Sequence, residues 1–138
     1  MNDYHFNNCD IGTNASFSIE ITETMMSMFH DISGDENPLH MKEDYARNHG
    51  HNGRLVYGLL TSSFYSRLVG MYLPGQYCIM KSIEIFFQRP VYIGDILIVT
   101  GRVKEKDDRF IQATISANIQ NQLGKVVSKA NILVGFYE

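Results

Sequence analysis

The amino-acid sequence predicts an α+β protein in which a curved antiparallel sheet wraps around one central, buried helix. In the second half of the chain, long runs alternate apolar and polar residues, as strands with one wet face do. Short turns separate these runs, which favours antiparallel pairing. Before them, residues 58–69 have helical spacing and almost no charge, which is typical of a helix surrounded by other elements.

Length and composition indicate a single globular domain. The chain has 138 residues, so we expect 1–138 to share one core, with an irregular N-terminal stretch over 1–15. The hydrophobic content of 44% is ordinary for a globular protein. A formal charge of −3 provides no basic footprint for nucleic acid.

Cellular location is predicted from the N-terminus and the cysteines. The first ten residues are polar and lack the apolar core of a signal peptide. No apolar run approaches the roughly 18 residues that a membrane span needs. Cys9 and Cys78 lie far apart and form no Cys-x-x-Cys motif. We therefore expect a reduced, cytoplasmic protein without a membrane partner.

The first elements are a short strand at 16–20 and a helix at 21–32. Thr22 is a suitable N-cap residue for this helix, and Gly34 stands where its C-terminal stop belongs. Apolar residues at helical spacing define its inner face: Ile21, Met25, Met28, Phe29 and Ile32.

The octet at 33–40, Ser-Gly-Asp-Glu-Asn-Pro-Leu-His, is the most informative stretch of the chain. It places Asp35 and His40 on either side of Asn37-Pro38. Because proline lacks an N–H and restricts the residue before it, we expect the segment to leave the helix as a fixed, irregular overhang. A carboxylate and an imidazole on such a loop can form an acid/base pair. A turn-forming Asp35 and a merely packed His40 are the alternatives.

A short helix at 42–47 and a loop at 48–53 are predicted before the central helix at 58–69. This helix mixes small residues with large ones such as Leu59, Leu60, Phe64 and Leu68. The sheet follows, with strands at 82–88, 96–104, 111–120 and 126–137. The inward residues of the last two strands are predicted to be Ile111, Ala113, Ile115, Ala117, Ile119, Val126, Ala130, Ile132, Val134 and Phe136. Such a sheet leaves one side of the helix uncovered, so a partner subunit is expected.

Three motifs follow one another along the chain, at 34–40, at Gly58 and at 90–95. Together they resemble the MaoC-like (R)-specific enoyl-CoA hydratases, which have the hotdog fold. The resemblance runs from about residue 22 to the C-terminus. Its most specific part is the octet, which matches the Asp-x-Asn-Pro-x-His hydratase motif in order and in its position after a helix. The matching residues are Gly34, Asp35, Asn37, Pro38, Leu39, His40, Gly58, Pro90, Val91, Gly94 and Asp95.

The resemblance implies a role for each matching residue. Asp35 and His40 would be the acid/base pair, and Asn37 would brace the overhang. The Gly58 N–H would contact the thioester carbonyl, and Ser66 falls where such enzymes carry a serine near the catalytic water. The resemblance also implies a homodimer whose two sheets join and whose active sites lie at the interface. The substrate would be a CoA or acyl-carrier-protein (ACP) thioester, and we expect no other cofactor.

Two positions depart from the family pattern. Tyr57 precedes the glycine where the family usually has histidine, which would change the pocket beside the thioester. Lys42 stands where the family often has an acidic residue, a peripheral change. Tyr57 therefore leaves the substrate open.

Other functions remain alternatives or are disfavoured. A hotdog acyl-CoA thioesterase is the nearest alternative, although the complete Asp35/His40 motif argues against it. A non-catalytic acyl-thioester binding subunit is a second, kept open by Tyr57. His49 and His51 are expected to be exposed loop residues and not metal ligands, because no recognised ligand spacing accompanies them. No Gly-x-Ser-x-Gly elbow or phosphate-binding glycine loop is present in the sequence.

Overall fold

The computed structural model describes residues 1–137 and contains a five-stranded antiparallel sheet with strand order β1-β3-β4-β5-β2. The strands are β1 Asn14–Glu20, β2 Cys78–Phe87, β3 Ile96–Asp107, β4 Gln112–Gln120 and β5 Val126–Phe136. The helices are α1 Glu23–Ser33, α2 Pro38–Met41, α3 Glu43–Asn48 and α4 Gly58–Arg67. The predicted α+β class is confirmed.

The core lies between α4 and the sheet. Leu60, Phe64 and Tyr65 of α4 belong to one buried cluster with the inward side chains of the strands. Every second residue of β4 is buried, as predicted, and the first half of β3 has the same alternation; the buried side chains are Leu97, Val99, Val103, Ala113, Ile115, Ala117 and Ile119. Packing of this cluster therefore fixes the position of α4.

One side of α4 is not covered. Leu59 is 66% exposed, whereas Leu60 and Phe64 are each 8% exposed. Ser63 and Ser66 are exposed as well. The expectation of an incompletely covered helix is confirmed, and Leu59 lies on its uncovered side. The helix also ends at Arg67, and a π-helical turn at Leu68–Tyr72 follows it.

Two strand residues differ from the predicted inward pattern. Ile111 lies before β4 with φ 52° and is 40% exposed, because the β3–β4 turn extends through it. Val126 is only half-buried, since a register shift at Ile119/Gln120 turns Val127 inward in its place. Phe87 of β2 faces inward, against Gly58, but is 57% exposed because β2 is an edge strand.

The caps of α1 are as predicted, but its inner face is not, because Met28 and Ile32 are 61% and 82% exposed and Met26 is buried instead. The Thr22 hydroxyl accepts a hydrogen bond from the Met25 N–H at 3.2 Å, and Gly34 ends the helix with φ 70°. Glycine adopts this left-handed conformation without the clash that a Cβ would cause.

The expectation that 33–40 is an irregular overhang was wrong in its second half. Pro38 begins the helical turn α2, and the Asn37 side chain caps it by accepting the Leu39 N–H at 2.9 Å. Proline is well suited to a first helical position, where its missing N–H would have no partner. We call residues 33–41 the overhang from here on.

Two further expectations concern cysteines and membranes. Cys9 and Cys78 are both free, with Cys9 buried. Within residues 1–137, no helix combines the length and the apolar character needed to cross a membrane.

Candidate active site

Short-range hydrogen bonds shape the overhang. Ser33 Oγ accepts the Asp35 N–H at 3.1 Å, and Asp35 Oδ1 accepts the Asn37 N–H at 3.0 Å. Together with the Asn37 cap, these bonds form consecutive side-chain-to-backbone turns, which is what Ser, Asp and Asn favour at such positions. The polar residues of the octet therefore fold it locally.

His40 is oriented by a backbone carbonyl. Its Nδ1 lies 2.8 Å from the Leu55 carbonyl oxygen, and the side chain is half-buried. A carbonyl only accepts hydrogen bonds, so Nδ1 carries the proton and the neutral ring has its lone pair at Nε2. This tautomer makes Nε2 available as a proton acceptor.

Gly58 is the first residue of α4, and its N–H has no hydrogen-bond partner within residues 1–137. Such an N–H at a helix N-terminus can donate to a substrate oxygen. A Cβ at Gly58 would lie 2.8 Å from Cε1 of Phe87. The absence of a side chain thus lets the Phe87 ring pack directly on the helix start.

His40 and Gly58 share the wall of one cavity of about 400 Å³. Thr61, one turn along α4, lines it too. The remaining wall is mostly apolar and includes Leu55, Val56, Phe87, Val91 and Val127. An apolar cavity with an imidazole and a free N–H in its wall is suited to an acyl group with a polar reacting end.

The other predicted site residues lie outside this wall. Asp35 is exposed, and its carboxylate is on the overhang. Asn37 caps α2 through its side chain, and Tyr57 is 2% exposed behind His40. Ser66 is exposed and stands eight residues after Gly58, about 12 Å along the helix. The structure therefore brings His40 and Gly58 together in one cavity wall, whereas Asp35 and Ser66 lie outside it.

The segment 54–57 holds the overhang from behind, and Arg54 is its unpredicted member. Arg54 Nε donates to the His40 carbonyl at 2.7 Å, and Nη1 pairs with Glu23 of α1 at 2.7 Å. The Leu55 N–H donates to the Leu39 carbonyl at 2.9 Å. These contacts join residues 14 to 31 positions apart, so no local sequence pattern indicates them. In the sequence, Arg54 stands out only as a single cation before the apolar pair Leu55-Val56.

Two pKa shifts occur around the overhang. Burial raises the pKa of the Tyr57 hydroxyl, and the Asp35 carboxylate raises it further, so the hydroxyl is a neutral donor. The Arg54 backbone N–H, and then the Arg47 side chain, lower the pKa of the Glu43 carboxyl. Both shifts keep these groups in the protonation state that their hydrogen bonds need.

The loop histidines divide between two environments. His49 is exposed, as predicted, and its Nδ1 lies 2.7 Å from the Tyr45 carbonyl. His51 is half-buried and lines the cavity, so its assignment to an exposed loop was wrong. No cluster of three or more His, Cys, Asp or Glu residues within 1–137 could hold a metal ion.

Comparisons with known proteins agree with this fold. The model of the MaoC like domain matches residues 7–124. An (R)-specific enoyl-CoA hydratase of Rhodospirillum rubrum is 33% identical over 95% of this chain and 90% of its own length. A mitochondrial 3-hydroxyacyl-[acyl-carrier-protein] dehydratase of Arabidopsis thaliana is 39% identical over 51% of this chain and 41% of its own length.

A solved structure gives the same result for the fold. The unliganded R-hydratase PhaJ1 of Pseudomonas aeruginosa superposes with a TM-score of 0.90 at 28% identity, over 97% of this chain and 86% of that one. The curved sheet around α4 is therefore the hotdog fold that the motifs implied. By its matched domain, its sequence relatives and its fold, the chain belongs to the MaoC-like domain family.

Proposed function

We propose that the protein is a hydro-lyase that adds water reversibly and in syn fashion to 2-enoyl thioesters, giving (R)-3-hydroxyacyl thioesters. The names of relatives over most of the chain support this activity. The observation that carries it is the cavity wall, which combines His40, in a tautomer with Nε2 unprotonated, and the free N–H of Gly58. Hydration requires a base and an oxyanion donor of this kind.

His40 is proposed as the general base. Water must lose a proton as it attacks C3, and imidazole titrates near neutral pH. The Leu55 carbonyl, through Nδ1, holds the ring in the accepting tautomer. The same hydrogen bond favours the imidazolium that forms, since Nδ1 remains a donor.

Asp35 is proposed to share the attacking water with His40 and to help relay to C2 the proton that this water loses, so that both groups end in their starting protonation states. Its carboxylate lies five residues before His40 on the same overhang. If both groups act from one side of the substrate, water adds in syn fashion. A positioned acid/base group of this kind typically contributes about 10²–10⁴-fold to the rate.

The Gly58 N–H is proposed to stabilise the enolate oxygen of the thioester. It stands at the positive end of the α4 dipole. Loss of one oxyanion donor costs about 2.7–4 kcal/mol of transition-state stabilisation in known cases. Asn37, by capping α2, would keep His40 at the cavity, and a contact of Ser66 with substrate would require the uncovered side of α4 to be completed by a partner.

A homodimer is part of the proposal. The uncovered side of α4 carries exposed Leu59. Edge strand β2 exposes Ile79, Phe86 and Phe87 at 57%, 49% and 57%. Apolar groups on a free sheet edge favour pairing with another strand. Joining two sheets through β2 would cover these residues and bring a second subunit close to the Phe87 side of the cavity.

The natural substrate carrier is proposed to be CoA or ACP, within fatty acid metabolism in the cytoplasm. Relatives whose names contain each carrier match this chain. The free cysteines support a reducing compartment. A panel that varies acyl length and carrier would identify the substrate.

The activity is tested with crotonyl-CoA by following the enoyl absorbance and the free thiol separately. Loss of enoyl absorbance without thiol release is the expected result. Thiol release would replace the proposal with a thioesterase. An absence of turnover on short, medium and ACP-linked enoyl substrates would replace it with a binding subunit.

A further inference from the structure

Tyr57 occupies the centre of the contacts around the overhang. It is 2% exposed and immediately precedes Gly58. Its ring stacks on His40 with centroids 4.2 Å apart and an interplanar angle of 30°. On another side it meets Phe29 of α1, with centroids 4.9 Å apart. The imidazole therefore lies on a ring that is itself fixed by packing against α1.

The hydroxyl of Tyr57 reaches the residue at the other end of the motif. It donates to the Asp35 backbone carbonyl at 2.8 Å and lies 3.5 Å from Met41 Sδ. Within residues 1–137, the other hydrogen bonds of Asp35 go only to its near neighbours Ser33 and Asn37. The Tyr57 hydroxyl is thus the hydrogen-bond link from Asp35 to the body of the protein.

One side chain consequently touches both members of the proposed acid/base pair. The ring limits where the His40 imidazole can move, and the hydroxyl limits where the Asp35 backbone can move. The histidine that the family usually has at this position is shorter than tyrosine, so its imidazole has no group at the distance of the Tyr57 hydroxyl. A displacement of about 1 Å at a reacting group can cost about 10²-fold in rate.

We infer that Tyr57 is a positioning residue that sets the distance between Asp35 and His40, an inference that rests on the proposed hydratase function. It acts through these two residues and does not line the cavity. Its effect should therefore appear in kcat and not in KM, because the substrate contacts are unchanged.

Tyr57→Phe tests the hydroxyl alone, and Tyr65→Phe is its matched control. Tyr65 is fully buried, and its hydroxyl lies 2.8 Å from Ser128 Oγ, so each variant removes one hydroxyl together with its hydrogen bond, which is part-buried at Tyr57 and buried at Tyr65. We expect Tyr57→Phe to lower kcat for crotonyl-CoA about tenfold with KM within about twofold. Tyr65→Phe should lower the melting temperature similarly and leave kcat near wild type.

Tyr57→Leu removes the ring as well as the hydroxyl. We expect a loss in kcat of about 100-fold, larger than that of Tyr57→Phe. If both Tyr57 variants have the kcat of Tyr65→Phe, or if their effect is on KM alone, the positioning role is wrong.

A second measurement does not depend on activity. Amide hydrogen exchange of Asn37, Leu39 and His40 reports the mobility of the overhang. We expect faster exchange at these amides in Tyr57→Phe and wild-type exchange there in Tyr65→Phe. Unchanged exchange in Tyr57→Phe would show that the Tyr57 hydroxyl does not hold the overhang in place. Absence of hydration by the wild-type protein would instead overturn the proposed function, while the exchange data would still test whether the Tyr57 hydroxyl holds the overhang.

Discussion

The overhang and the start of α4 contribute the two halves of the candidate site, and they are held in different ways. No residue of α2 is buried, and hydrogen bonds from the 54–57 segment hold the overhang in place. In α4, by contrast, Leu60, Phe64 and Tyr65 are buried in the core. Hydrogen bonds give a small, exposed segment a defined geometry, whereas apolar burial supplies most of the folding energy. The two regions should therefore respond differently to substitution.

The largest expected effect is on activity. His40→Ala should lower the hydration of crotonyl-CoA about 10²–10⁴-fold, because the proposed base is lost. The free energy of unfolding of this variant should fall by only about 1 kcal/mol, which is the usual net contribution of one hydrogen bond. His49→Ala is the control, because His49 also bonds a backbone carbonyl but lies on an exposed loop. Equal rates for the two variants would contradict the assignment of His40.

A core substitution in α4 should give the opposite result. Phe64→Ala is expected to lower the free energy of unfolding by about 3–5 kcal/mol, measured by urea denaturation. Phe110→Ala, with a side chain 58% exposed in the native protein, should cost about 0.5 kcal/mol or less. Activity per folded molecule should fall much less in Phe64→Ala than in His40→Ala. A loss of activity comparable to that of His40→Ala would mean that the two regions are not separable.

Arg54 connects the overhang to α1, so its loss should be intermediate. Arg54→Met keeps the length of the side chain but removes the bonds to the His40 carbonyl and to Glu23. Hydrogen bonds to charged groups contribute about 1.5–3 kcal/mol. We expect about a tenfold lower hydration rate and faster amide exchange at His40. Arg47→Met is the control, because within residues 1–137 the exposed Arg47 side chain pairs with Glu43 alone. An equal loss in both variants would show that the position of His40 does not depend on Arg54.

The smallest effect should follow from pH. The folded pKa of Glu43 is below its ordinary value of 4.5, so its contribution to stability is present above pH 4.5 and is lost as pH falls through the folded pKa. Glu43 accepts the Arg54 amide N–H at 3.2 Å. The protection factor of this amide against hydrogen exchange should therefore fall as pH drops through the folded pKa of Glu43. In Glu43→Gln this pH dependence should disappear. If Glu43→Gln leaves the pH profile of exchange at Arg54 unchanged, Glu43 does not stabilise the start of the 54–57 segment that holds the overhang.

Local chemistry made much of the fold predictable. Thr22 and Gly34 delimit α1 through their own capping preferences, and alternation along β4 identifies its inward face. Predictions failed where a neighbour decides. The bulge opposite Ile119 moved Val126 out of the inward face, and the β3–β4 turn extends through Ile111 and leaves it exposed. Alternation indicates a face but contains no information about register shifts or strand order.

The candidate site divides along the same line. The sequence by itself determined the octet, with Asp35, Asn37 and His40 in order, and the glycine that begins α4, because turns and caps depend on adjacent residues. Only the tertiary structure decided that Leu55 fixes the His40 tautomer, that Arg54 and Tyr57 hold the overhang, and that Ser66 lies on the uncovered side of α4. These contacts join segments far apart in the chain, so they exist only once α4 is packed on the sheet and the 54–57 segment is brought beside the overhang.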